Sequence, residues 1–211
     1  EVVIWVGCFT IVVASLIALT KDNLKARLAY STVSQLSYVT VGAMLANTAG
    51  ATGAGLQIAM HAVAKMTLFM CAGAIYVATG KTEISQMRGL GKKMPIVFTC
   101  FFIASLSIIG VPPLGGAWAK YELMQSAIDA DRVYVVIVLI ASTLLNVAYL
   151  LPIAILGLLP PKDPALEIAA FKRPGGAPAL TVIPLSITAL GCFLLFFGVD
   201  YISDFIQPVF G

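Results

Sequence analysis

Apolar residues along this chain run on for bilayer-like lengths instead of recurring once per helical turn or at every second position. A membrane-spanning helix needs about 20 largely apolar residues. Six segments meet that need, at about 2–19, 28–46, 53–79, 95–128, 133–157 and 180–199. The fourth is discontinuous. It is apolar over 95–109, meets Gly110, Pro112, Pro113, Gly115 and Gly116, and resumes over 117–128. The runs are too long and too uniform for strands, and no barrel-type alternation is present. The pattern predicts an all-α, polytopic membrane protein with one transmembrane domain over residues 1–211.

Composition agrees with the pattern. Sixty per cent of residues are apolar, 11% are charged, and mean hydropathy is +0.98. Ordinary soluble domains are about 45–50% apolar and about 25% charged. The net charge of +3 arises from 13 basic and 10 acidic residues, most of the basic ones lying between the apolar runs. That excess gives no case for nucleic-acid binding. Residue 1 is Glu and leads straight into an apolar run, so we expect the chain to be a piece of a longer protein. Cys8, Cys71, Cys100 and Cys192 each sit inside an apolar run without CxxC spacing, which predicts packing residues and no disulfide or metal site. No cofactor is expected.

Charge asymmetry sets an orientation. With the fourth segment taken as one broken span, Lys21, Lys25, Arg27, Lys81, Arg88, Lys92, Lys93, Lys162, Lys172 and Arg173 share one face. The opposite face has Arg132 beside Asp129, Asp131, Asp200 and Asp204. Cytoplasmic faces are rich in Lys and Arg. The loops at about 20–27, 80–94 and 158–178 are therefore expected in the cytoplasm, and Glu1 at the outer face. Two full spans at the break would scatter the basic residues over both faces, which is why a single discontinuous helix is favoured.

Charge within the hydrocarbon layer costs about 2.5–3.5 kcal/mol for a central Lys. Lys65 lies near the middle of the third segment and Lys120 just beyond the break, both far from a span end. Lysine, unlike arginine, can lose its proton inside a protein. Gln57, His61 and Lys65 recur every four residues and so share one helix face. That stripe reads as a hydrated proton relay. The alternative is polar glue between helices, with the lysine paired to a carboxylate. Pro and Gly at mid-membrane depth free backbone groups that protein or water must satisfy, and transporters build ion sites at such breaks. A simple proline kink with a snorkelling Lys120 is the plainer alternative. Lys25 and Arg27 at the mouth of the second segment read equally as interfacial anchors or functional groups. The Ser31, Ser34 and Gln35 face of the same segment fits either bound water or interhelical hydrogen bonds.

Four motifs then appear in order. They are DNLKARLAYSTVSQLSYV at 22–39, HAVAKMTLFMCAGAIY at 61–76, RGLGKKMP at 88–95 and SLSIIGVPPLGGAWAK at 105–120. Together they resemble the proton-conducting antiporter family, which holds Mrp-type sodium/proton antiporter subunits and the antiporter-like subunits of respiratory complex I. The resemblance covers nearly the whole chain but implies only the last six helices of a fourteen-helix fold. It implies that Lys120 matches the lysine or glutamate on the second discontinuous helix, at the outward half-channel. His61 and Lys65 match the central hydrophilic axis, and Lys25 the basic residue of a DxK-type motif at the cytoplasmic side. Further charged residues that relatives use on earlier helices are absent. Gln57 and Lys120 resemble the D-type branch of the Mrp subunits, with a complex I or membrane-hydrogenase type as the alternative.

The resemblance implies a proton-translocating subunit of a multisubunit monovalent cation/proton antiporter in a bacterial inner membrane. Its expected partners are other subunits of the complex, the lipid bilayer, protons, and sodium or another monovalent cation. No bond-making active site is expected of the chain itself. A structural membrane scaffold, whose polar groups only pack, is the competing class.

Overall fold

The computed structural model describes residues 1–160 and 177–210. The loop expected over 158–178, with Lys162, Lys172 and Arg173, lies mostly outside the described residues. The described elements are helical: α1 (Val2–Thr20), α2 (Leu24–Met44), α3 (Thr48–Thr79), α4 (Pro95–Ile109), α5 (Gly116–Asp129), α6 (Val133–Leu158), α7 (Ala179–Phe197) and α8 (Val199–Phe210). Two short 3-10 turns, Ile84–Gln86 and Leu90–Lys92, lie between α3 and α4.

Four of these helices, α1, α3, α6 and α7, are long and apolar enough to cross a membrane. The other two expected crossings fall on α2 and on the α4–α5 pair. α2 has 21 residues but carries many polar ones, and neither α4 nor α5 reaches spanning length alone.

Contacts at the helix ends define two poles. At the first, the backbones of Asp22 and Leu24 pair with Ile84 and Thr82, and the Asp22 carboxylate accepts from Ser85. Gly89 N–H donates to Leu156 O there, which brings in the end of α6. At the second pole, Glu1 pairs with Arg132, Trp5 stacks on Tyr134, and Asn47 bonds to Ser126. α4 therefore starts at the first pole and α5 ends at the second, so the broken segment runs once from pole to pole.

α3 occupies the centre and packs against α2, α4, α5, α7 and α8. Its buried Ala54, Ala64, Ala72, Ala74 and Ala78 let these neighbours approach closely. One apolar core lies towards the first pole, around Leu68, Ile75, Phe98, Phe101 and Ile153. A second lies towards the other pole, around Ile4, Ile11, Leu123, Val135 and Leu139. The outward faces of α1 and α7 carry Val2, Trp5, Phe9, Ile183, Ile187, Leu190 and Leu194. An apolar surface of that extent belongs in lipid or against another membrane chain.

Three boundaries differ from the sequence reading. α2 begins at Leu24 because the Asn23 side chain caps it, accepting from Ala26 N–H. Lys25 and Arg27 are thus on the helix and not in a loop. α3 begins at Thr48, five residues early, because Asn47 caps it through Gly50 N–H. The tail beyond the last expected span is a further helix, α8. Its Asp200, Tyr201, Asp204 and Phe205 are exposed, while Val199 and Ile202 pack towards Leu56, Met60 and Ala119.

Candidate functional site

The break between α4 and α5 brings Lys120 into the interior. α4 ends at Gly110, whose φ of 91° lies in the left-handed region that only glycine adopts without strain. A side chain there would also press on the Lys120 stem. The next peptide bonds include a cis Pro112–Pro113. Gly115 N–H donates to Cys192 O, fixing the break against α7. Gly116 opens α5 directly against Ser107 O, a contact with no room for a Cβ. Lys120 Nζ then returns to the end of α4. It donates to Ile109 O at 2.8 Å and to Thr143 Oγ1 of α6 at 2.9 Å, and lies 5.6 Å from the Tyr38 ring centre. Ile109 O is one of the carbonyls left free where α4 stops, at the negative end of its dipole.

Lys65 is placed by the midpoint of α3. Its Nζ donates to Leu28 O of α2 at 3.1 Å, an oxygen that also accepts from Thr32 Oγ1 at 2.9 Å. Lys65 and Lys120 are 6% and 5% exposed. No Asp or Glu is buried among the described residues. Both ammonium groups thus rest on neutral oxygens and meet no described carboxylate.

Gln57, His61 and Lys65 do form one buried stripe. Gln57 Nε2 donates to Gln35 Oε1 at 2.9 Å. Neither ring nitrogen of His61 has a hydrogen-bond partner in the described structure. The ring borders a cavity of ≈ 10 Å³ lined also by Gln35, Gln57, Ser107 and Gly116. That is at the lower limit of space for one water.

Ser31 and Ser34 are buried in interhelical bonds. Ser31 Oγ accepts from Tyr149 Oη at 2.9 Å, and Ser34 Oγ lies 2.8 Å from Ser15 Oγ. Lys25 stands apart from this interior. It is exposed, with its Nζ 4.9 Å from the Tyr76 ring centre. Arg27 donates to the carbonyls of Leu19, Lys21 and Tyr149, closing the end of α1 and tying it to α6. Cys8, Cys71, Cys100 and Cys192 are buried free thiols. No cluster of three or more His, Cys, Asp or Glu able to hold a metal ion occurs among the described residues.

The sequence reading treated α6 as plain apolar span and missed its polar face. Ser142, Asn146 and Tyr149 are all buried and lie on one stripe. Their i, i+4, i+7 spacing was the available signal. Tyr149 bonds to both Ser31 and Asn146 Oδ1. Ser15 on α1 was likewise passed over.

The fold and site are those of a polytopic membrane helix bundle with a broken helix and two buried lysines that meet no described carboxylate. Residues 1–164 match the model of the NADH:quinone oxidoreductase/Mrp antiporter transmembrane family, and the chain belongs to that family. It is 32% identical over 98% of its length to the NADH-quinone oxidoreductase subunit N of Desulforudis audaxviator, of which it covers 43%. It is 41% identical over 59% of its length to the NAD(P)H-quinone oxidoreductase chain 5 of Synechocystis, of which it covers 19%. Among solved structures, the Mrp complex of Dietzia holds a chain with the same fold. The TM-score is 0.85 at 23% identity, over 98% of this chain and 46% of that one. An archaeal membrane-bound sulfane sulfur reductase gives a TM-score of 0.82 at 26% identity, over 92% of this chain and 31% of that one. The chain is an integral, multi-pass membrane protein that spans less than half the length of these relatives.

Proposed function

We propose that this chain is the half of a proton-translocating membrane subunit that carries the second helix break. It works within a multisubunit monovalent cation/proton antiporter of a bacterial inner membrane. Lys65, His61 and Lys120 are the relay, Gln57 and Gln35 support it, and Lys25 attracts or releases protons at the cytoplasmic pole. One observation carries the reading: two buried lysines held by neutral oxygens, with no described carboxylate against them. A buried ion pair fixes its charges, because losing either one strands the other. A lysine on carbonyl and hydroxyl oxygens can be charged or neutral in place, as a relay requires. A scaffold gains nothing from such groups.

A second reading places the chain in a quinone-oxidoreductase complex instead of an antiporter. It is favoured by the identities to quinone oxidoreductase subunits, whereas Gln57 and Lys120 favour the D-type Mrp branch. Both readings give these residues the same work.

The test is Lys65→Ala and Lys120→Ala in the full-length chain within its complex. Proton transport into everted vesicles should fall by about tenfold or more for each, at equal complex abundance. Undiminished transport by both would leave the scaffold reading standing.

A further inference from the structure

From Lys120 a line of hydroxyl contacts runs towards Lys65 and ends at Ser31, whereas the His61 nitrogens touch no described partner. From Lys120, Thr143 Oγ1 lies at 2.9 Å. Thr143 shares the Leu139 carbonyl with the Tyr38 hydroxyl, at 2.8 and 3.4 Å. Tyr38 is also within reach of Thr143 itself and of Ser142. Ser142 Oγ is 3.2 Å from Ser15 Oγ, and Ser15 is within reach of the Tyr149 hydroxyl. Tyr149 then bonds to Ser31 at 2.9 Å, one turn beyond the Leu28 carbonyl that holds Lys65. Ser31, Tyr38, Ser15, Ser142 and Tyr149 are each fully buried. Asn146 Nδ2, beside Tyr149, has no hydrogen-bond partner, although buried donors are nearly always satisfied.

We infer that this hydroxyl ladder, built from α1, α2 and α6, is a second proton route between the two lysines, parallel to the His61 stripe. A hydroxyl both donates and accepts. The Lys65 ammonium gives up one proton at the Ser31 end. Each hydroxyl passes on its own proton as it takes the next, and the neutral Lys120 amine takes the last. Every hydroxyl ends neutral with its O–H reversed, and a rotation of each resets the ladder. No carboxylate or histidine is needed along the way. Between Ser31 and Lys65 the ladder requires one bridging water, for which the unpaired Asn146 amide beside Tyr149 would be a donor.

The inference rests on the relay reading, and the experiment separates the two. Proton transport is measured per assembled complex in everted vesicles for His61→Ala, for the pair Tyr149→Phe and Ser142→Ala, and for all three together. His61→Ala alone and the pair alone should each keep about a third or more of the activity, and the triple variant should lose about tenfold or more. A packing defect would lower activity by the same factor in both backgrounds. The ladder instead requires a larger effect where His61 is absent. A triple variant no worse than His61→Ala overturns the inference, and so does complete loss with His61→Ala alone. If the triple variant does not assemble, His61→Ala with Tyr149→Phe, which removes one hydroxyl and keeps the ring, carries the same expectation. Lys120→Ala is run beside them. Full transport by that variant sinks the relay reading itself, whatever the ladder variants do.

Discussion

At Lys120 two stabilising effects converge on one ammonium group. Ile109 O is a free carbonyl at the C-terminus of α4, where a cation gains about 0.3–1 kcal/mol and up to about 2 when partly buried. Thr143 supplies a second neutral acceptor. The group is therefore held in place without being locked in its charged state. Lys120→Arg keeps the charge but cannot release a proton, so transport should be lost although the helix end remains capped. Lys120→Glu introduces an anion at the wrong end of a dipole. Only its protonated form can donate to Ile109 O, and it should keep part of the activity, shifted to lower pH. Antiport in everted vesicles over a pH series checks both outcomes. Normal activity for Lys120→Arg would make the residue a fixed charge, and its relay role would have to be given up. Both lysines were legible in the sequence because charge in an apolar run is conspicuous. Tyr149 and Ser15 were not, because a lone Tyr or Ser in such a run looks like tolerated packing. Only the fold shows that α1, α2 and α6 turn these residues towards one another.

Among the elements, the broken helix was readable from Gly110, Pro112, Pro113, Gly115 and Gly116, since two prolines and three glycines in seven residues cannot continue a helix. What each glycine does was not readable. Gly116 is needed because Ser107 O occupies the space of its Cβ, and Gly110 because its φ is positive. Gly73 has nothing within 4 Å of a Cβ placed there. Gly116→Ala should push α5 away from α4 and cost about 1–3 kcal/mol. Gly110→Ala should cost about 1–2 kcal/mol through the left-handed backbone. Gly73→Ala should be neutral or stabilising by up to about 1 kcal/mol, from helix propensity alone. Thermal unfolding of the detergent-solubilised full-length protein ranks the three. Equal effects at Gly73 and Gly116 would contradict the packing argument. The amphipathic α8 escaped the sequence reading because a twelve-residue helix with two aspartates is too short and too polar to register as a span.

The whole molecule has two poles with different chemistry. The first gathers Lys21, Lys25, Arg27, Lys81, Arg88 and Lys92, and the second carries Asp129, Asp131, Asp200 and Asp204 with Arg132. The positive-inside rule predicts that the first pole faces the cytoplasm. Lys92 is exposed there, so a Lys92→Cys variant should react with an impermeant thiol reagent in everted vesicles and not in intact cells. The opposite labelling pattern would invert the orientation. Between the poles this chain supplies Lys65 at the centre and Lys120 beyond the break. No buried carboxylate occurs among its described residues, and the relatives it matches are more than twice as long. A relay starting at Lys65 needs a donor between it and the first pole, where Lys25 is exposed at the pole itself and Arg27 is engaged with carbonyls. The 211-residue chain reconstituted alone in liposomes should therefore insert, yet conduct no protons above the lipid background. Restoring the longer chain and its complex should restore transport. The measurement is acidification of dye-loaded liposomes under an imposed cation gradient. Robust exchange by this segment alone would show that the relay is complete within α1–α8, and that the remainder of the longer chain serves another purpose.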